Sequence, residues 1–273
     1  MDTCLIIGNG RAGKRHAKYA THYGLKVYTV DPNLAADYTC LEDALYSDTL
    51  FDCMVIATPP DSHLKYIQKA IRMDMPAICE KPLCDLSSSA TAKSLADMAD
   101  EAQIMIAYNW RYHPAIIHAM ADVDTEKYGK VVAYNIHARH YRPDLPVWGV
   151  LLDHVSHDVD TINCLSGGIN WITSAVHEKI EDDHDAYRIK GITDNECQFS
   201  ILEYAEMGHT IERNTYLEIV YENGSQEYQL TPDDSMFHSM WKTFLNGVHY
   251  PNLMDAYKTQ QVLWAINNYW AGI

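Results

Sequence analysis

The chain has 273 residues, is 47% apolar or aromatic, and carries a formal charge of −16. That size buries a substantial core without covalent staples, and the acidic balance argues against a general binder of nucleic acid or anionic membrane. The longest apolar runs fall far short of the roughly 20 residues a membrane span needs.

Seven cysteines, at 4, 40, 53, 79, 84, 164 and 197, are odd in number and contain no CxxC pair. This argues against both a disulfide framework and a zinc ribbon. The N-terminal Met1-Asp2-Thr3 has no basic segment, and Leu5-Ile6-Ile7 is too short for a signal peptide, so a cytoplasmic protein is expected.

In chain order, apolar runs at 4–7, 27–30, 53–57, 77–79 and 103–107 predict short buried strands. Helical patterns at 14–23, 41–46, 62–72 and 89–101 lie between them, with Asp61 and the serines 87–89 as expected N-caps. Strand–helix alternation of this kind predicts an α/β fold with a doubly wound parallel sheet. Beyond residue 110 the grammar changes. Helical patterns at 113–122 and 150–165 are followed by strand patterns at 130–139, 170–178, 196–204, 215–221 and 226–230. Glu222-Asn223-Gly224-Ser225 reads as a hairpin turn, and helices near 234–246 and 255–270 close the chain. The expected organisation is a nucleotide-binding domain over 1–112. An α+β domain with a mostly antiparallel sheet follows over 113–273, its last helix free to pack back on the first domain.

The first strand runs into Gly8-Asn9-Gly10-Arg11-Ala12-Gly13 and then a helix. In that position G-x-G-x-x-G suits a dinucleotide. The glycines permit a tight turn, close approach of a pyrophosphate and helix–strand packing, with the diphosphate at the helix N-terminus. Asp31, 18 residues after Gly13, ends the second strand. A carboxylate there accepts hydrogen bonds from the ribose hydroxyls and repels a 2′-phosphate, which favours NAD over NADP. Thr58-Pro59-Pro60-Asp61-Ser62-His63 follows the third strand on the same rim, and reads either as cofactor-lining backbone or as a structural loop. Glu80-Lys81-Pro82 ends the fourth strand. From position alone, Lys81 is a surface lysine paired with Glu80 or a cation delivered to a working site.

Asp153, His157 and Asp160 fall on one helical stripe. A histidine beside a carboxylate suits proton transfer, though a hydrogen-bonded structural histidine has the same pattern. His154 and His157 lack a third local metal ligand, and His137 and His140 point to opposite faces of a strand. No metal site is expected.

Taken together these residues resemble the glucose–fructose oxidoreductase / inositol dehydrogenase / MocA (Gfo/Idh/MocA) family. The matching features are the glycine loop, Thr58-Pro59 with His63, Glu80-Lys81-Pro82, "YNWRYHPA" at 108–115, Asp153-x-x-x-His157 and the ending "FLNGVHYPNLMDA". The resemblance implies Lys81, Asp153 and His157 as catalytic residues. It implies cofactor contacts from Gly8, Asn9, Gly10, Arg11, Ala12, Gly13, Asp31, Thr58, Pro59, His63, Glu80, Lys81 and Asn109. Arg111, Tyr112, His137, Arg139 and Tyr141 are candidates for substrate binding. The implied activity is NAD-dependent hydride transfer at a secondary hydroxyl of a sugar, nucleotide-sugar or cyclitol, in a homodimer or homotetramer. A non-catalytic dinucleotide or sugar sensor and a reductase of a conjugated double bond are the alternatives. The sequence departs from the family pattern at Val147-Trp148-Gly149, where a glycine-rich approach is usual, and at Val155, where the family often has glycine.

Overall fold

The computed structural model describes residues 1–141, 149–180, 184–206, 214–231 and 233–271. They form two compact units. The first comprises Met1–Tyr108 and Phe237–Tyr257, and the second comprises Asn109–Met236 and Lys258–Ile273. The expected boundary at 112 thus falls at 108, and a late segment returns to the first unit.

In the first unit, strands β1 (Thr3–Ile7), β2 (Lys26–Val30), β3 (Cys53–Ile56), β4 (Ala77–Cys79) and β5 (Ile104–Ile106) make a fully parallel sheet. Its order is β2-β1-β3-β4-β5. Their continuous apolar sequences suit burial on both faces, and β3, β4 and β5 are wholly buried. Helices α1 (Arg11–His22), α2 (Leu41–Leu45), α3 (Pro60–Arg72) and α4 (Ser89–Ala96) connect them. The order reverses between β1 and β3, so the crevice at their C-terminal ends is the usual ligand position of such a sheet. Asp61 does not cap α3. The helix begins one residue earlier at Pro60, whose missing N–H suits the first helical position, and Asp61 adds negative charge to the first turn. The returning segment contributes Phe237, stacked on Tyr19 at 5.6 Å, and the buried Trp241 and Phe244.

In the second unit, a 3₁₀ turn (Asn109–Tyr112) leads into α5 (Pro114–Asp124). The sheet has six strands: β6 (Val131–Tyr141), β7 (Ile169–Ile180), β8 (His184–Thr193), β9 (Gln198–Glu206), β10 (Asn214–Tyr221) and β11 (Gly224–Gln229). Their order is β11-β10-β6-β9-β8-β7. The β6–β9 pair is parallel and the other four are antiparallel. Strand β8 is absent from the sequence reading. Its outward residues Arg188 and Lys190 are charged, while one inward position is Gly191, whose added Cβ would lie 2.4 Å from the Phe199 ring. Tyr187 and Ile189 are the buried apolar residues on that side, so the alternation has only two large apolar members before Gly191 interrupts it. Between β6 and β7, a π-helical turn (Leu151–Val155) runs into α6 (Ser156–Ser166). Helices α7 (Asp234–Leu245) and α8 (Leu253–Ala271) complete the chain. No described helix is long and apolar enough to cross a membrane.

The second unit is clamped by a buried ion pair. Arg111 donates from Nε and Nη2 to the two oxygens of Asp160, each at 2.8 Å, and Thr259 on α8 donates to Asp160 Oδ1 at 3.1 Å. Both charged side chains are at most 3% exposed. Removing one partner strands the other charge in a low-dielectric interior. Arg111→Ala is expected to lower unfolding stability by about 3–5 kcal/mol, measured by urea denaturation against the wild-type chain.

Candidate functional site

The rim of the parallel sheet is built by glycine geometry. Gly8 has φ of +94°, and a Cβ there would lie 2.4 Å from the Ala57 carbonyl oxygen. A Cβ on Gly13 would lie 1.8 Å from the Gly8 carbonyl oxygen, so α1 starts where only glycine fits. A Cβ on Gly10 would meet nothing within 4 Å. Two glycines therefore close the loop, and the middle one leaves open space above its backbone. No side chain caps α1, so the amides of Arg11 and Ala12 at its start suit an anion.

Asp31 is fastened beside this loop. Its Oδ2 accepts from the Asn9 amide at 2.9 Å, and its Oδ1 accepts from the amides of Asn33 and Leu34, each at 2.9 Å. Burial pushes its pKa up, but the three amide donors outweigh that and hold it below the usual carboxylate range. The side chain of Asn9 reaches the Ala35 carbonyl. A dinucleotide fits this donor set: amides and open space for the diphosphate, and a fixed carboxylate for the ribose.

Two other predicted cofactor residues have structural duties. His63 is fully buried, with Nδ1 2.8 Å from the Pro82 carbonyl and Nε2 2.7 Å from the Thr58 carbonyl. Both ring nitrogens are engaged, so the imidazole braces the Thr58-Pro59 loop against the Lys81-Pro82 turn and offers nothing to a ligand. Burial lowers its pKa, with the two carbonyls opposing. Thr58 Oγ1 accepts from Ser62 at 2.7 Å, and Pro59 is exposed. Glu80 lies 3.1 Å from His16 Nε2. Burial raises the Glu80 pKa, yet the His16 contact, with Lys81 and Arg15 nearby, leaves it lowered overall. Glu80 thereby ties the end of β4 to α1. Lys81, the next residue, is partly exposed on the rim. His16 went unnoticed in the sequence, although its spacing from Gly13 and Tyr19 puts it on the buried face of α1; a buried imidazole needs a polar partner.

In the second unit, Asp153 and His154 lie on the π-helical turn and His157 in the first turn of α6. Inserted turns of this kind are frequent at functional sites. The His157 ring stacks on Trp110 at 5.4 Å and 17°, and Asp153 Oδ2 lies 3.4 Å from His154 Nε2. The expected stripe is broken at its third member, because Asp160 is taken by Arg111. Arg111, a predicted substrate residue, is correspondingly held by Asp160 through Nε and Nη2 in a buried ion pair. Asn109 and Tyr112 are also buried, 7% and 9% exposed.

Strand β6 alternates as its pattern predicts, but the parity redirects the substrate candidates. Tyr134, Ile136, Ala138 and His140 are buried, and the Tyr134 hydroxyl reaches the Leu165 carbonyl of α6 at 3.3 Å. That is the helix-covered face. His137 and Arg139 lie on the opposite face, where His137 stacks on Tyr216 at 4.9 Å and Arg139 lies over the Tyr204 ring. They point away from the turn that carries Asp153 and His154. Tyr141 belongs to β6, but its side chain lies outside the described residues, as do Val147 and Trp148.

On the covered face, the sequence reading missed a cluster. The rings of His140 and His154 are 4.3 Å apart, and His140 Nε2 lies 3.5 Å from Glu203 Oε1 on β9. Asp158, one turn beyond His154, is 1% exposed and contacts Glu203. Burial pushes the Asp158 pKa up to about 8, with the Glu203 contact opposing.

Comparison with known proteins follows this division. Residues 3–110 match the family model of Gfo/Idh/MocA, described as an oxidoreductase family with an NAD-binding Rossmann fold. An inositol 2-dehydrogenase of Rhizobium meliloti is 28% identical over 181 residues, covering 59% of this chain and 54% of that protein. A 1,5-anhydro-D-fructose reductase of Ensifer adhaerens is 29% identical over 163 residues, covering 55% and 45%. The chain's matches thus span about half the length of these curated relatives. The solved myo-inositol dehydrogenase of Lactobacillus casei, in complex with NAD(H) and myo-inositol, superposes with a TM-score of 0.83. It is 17% identical and is matched over 99% of this chain and 95% of that one, a likeness of fold. With its glycine loop, its parallel sheet and the match over residues 3–110, the first unit resembles the NAD-binding Rossmann domain of the Gfo/Idh/MocA oxidoreductase family.

Proposed function

We propose that the chain is a NAD-dependent oxidoreductase acting on a secondary hydroxyl, or the matching ketone, of a sugar, nucleotide-sugar or cyclitol. The observation that carries this reading is the rim of the parallel sheet: a glycine loop open above Gly10, beside a carboxylate held ionised by three amides. The names of the two curated relatives, an inositol dehydrogenase and an anhydrofructose reductase, support a polyhydroxylated ring as the substrate class.

The loop 8–13 and Asp31 hold the cofactor in this reading, with Thr58, Pro59 and Asn109 as further contacts. When bound, nicotinamide supplies the acceptor or donor of a hydride. The chain's own residues handle the proton and the charge. His157 takes the hydroxyl proton, a task suited to the one side chain that ordinarily titrates near neutrality. Trp110, stacked on it, limits the ring to one plane. Asp153 stabilises the imidazolium that forms. Lys81 offers a cation to the oxygen as negative charge develops there. Asp31 excludes a 2′-phosphate by charge repulsion, which selects NAD. The exposed Trp171 on β7 supports a homo-oligomer through the second unit's sheet.

A panel of inositols, free sugars and nucleotide-sugars with NAD, followed by the absorbance of reduced nicotinamide, identifies the substrate. On that substrate, Lys81→Ala and His157→Ala are each expected to lose turnover by about 10²–10⁴-fold while binding NAD as the wild type does. Wild-type turnover in both variants overturns the assignment. Asp31→Ala is expected to raise the NADP-to-NAD ratio of kcat/KM by at least about tenfold, roughly 1.4 kcal/mol of lost discrimination. An unchanged ratio shows that Asp31 does not read the ribose.

A further inference from the structure

The second unit holds a cluster that the proposed hydride transfer does not use. His140 comes from β6, His154 from the π-helical turn and Glu203 from β9. One donor atom from each lies within 4.8 Å of the other two. His140 is 5% exposed and Glu203 is fully buried. Beside them, Asp158 is buried against Glu203, and no fixed donor among the described residues reaches either of its oxygens.

Two buried carboxyls in contact cannot both stay ionised alone. A proton held within the cluster, on a carboxyl or on the imidazole of His140, or a bound cation offsets the charge. The neighbours decide between these. A held proton needs at most one imidazole and gives no reason for two to converge on the carboxyls. A divalent cation uses all the groups: imidazole nitrogen and carboxylate oxygen are ligands of zinc and of other first-row ions. Donors around a tetrahedral zinc are separated by about 3.3 Å, given bonds of roughly 2.0–2.1 Å. The His140–Glu203 pair, at 3.5 Å, is already near that spacing. Asp153 Oδ2, 3.4 Å from His154 Nε2, supplies the outer carboxylate that commonly orients a metal-bound histidine.

We propose that His140, His154 and Glu203 form a binding site for a first-row divalent cation, zinc in the first instance, with Asp158 as an adjacent carboxylate. Two histidines and one carboxylate leave a fourth position for water or a substrate oxygen, the pattern of an open zinc site. The three ligands come from two parallel strands and a helical turn of one unit, so folding of that unit alone assembles them.

The test uses the full chain, stripped with a chelator, dialysed, and titrated with Co²⁺ and then with Zn²⁺. One Co²⁺ per chain is expected, with the visible d–d absorption of a four- or five-coordinate ion, displaced by Zn²⁺. His154→Ala and Glu203→Gln are each expected to weaken binding by at least about 100-fold. His118→Ala, an exposed histidine elsewhere in the unit, is expected to bind as the wild type does. Absence of the band, or a band of equal affinity in His154→Ala and Glu203→Gln, overturns the site and leaves a held proton as the explanation. Circular dichroism checks folding. Should Glu203→Gln fail to fold, the partly exposed His154 carries the test, together with the thermal midpoint. Zn²⁺ should raise it in the wild type and not in His154→Ala; an equal rise in both overturns the proposal.

Discussion

The first unit depends on one contact, between the carbonyl oxygen of Gly8 and the α-carbon of Gly13. A methyl group at residue 13 would sit 1.8 Å from that oxygen, well inside van der Waals contact. Because no side chain intervenes, α1 begins directly against the loop that leaves β1. The loop's middle residue then faces open space, and the uncapped amides of α1 remain for an anion. The same arrangement positions Asn9, whose amide holds Asp31 and ties the end of β2 to the loop. Any side chain at 13 would push the helix away and dissolve the juxtaposition of amides, open space and carboxylate.

The polar groups behind the rim show how a buried charge is used structurally. His63 fastens two adjacent turns through backbone carbonyls, and His16 with Glu80 fastens β4 to α1. Neither pair is chemistry in itself. Each holds in place a loop whose backbone or neighbouring side chain is exposed, Thr58-Pro59 in one case and Lys81 in the other. Such braces are costly to break, since the partner left behind is buried and unsatisfied.

Parity governs the second unit. Side chains of a strand alternate between faces, so the even residues of β6 meet the helices and the odd ones do not. This rule removes His137 and Arg139 from the side that carries Asp153 and His154 and places His140 there. The parallel pairing of β6 with β9 matches Ala138 with Glu203 and His140 with Ala205. Glu203 and His140 are diagonal neighbours on one face as a result, and the π-helical turn brings His154 over them.

Local rules made much of this legible in the sequence. Five apolar runs, the glycine spacing and the carboxylate at residue 31 encode the parallel sheet and its cradle, because strand burial, tight turns and helix starts are short-range matters. Even the opposite orientations of His137 and His140 follow from period two. Local rules could not say which face the helices cover, nor that Arg111 takes Asp160 across 49 residues of chain. They also missed β8, whose inward side ends in Gly191 and Thr193. The meeting of His140, His154 and Glu203 was beyond them altogether. A ligand set drawn from strands 63 positions apart, 140 to 203, has no spacing signature; the register of β6 on β9 creates it, and only the folded sheet has a register.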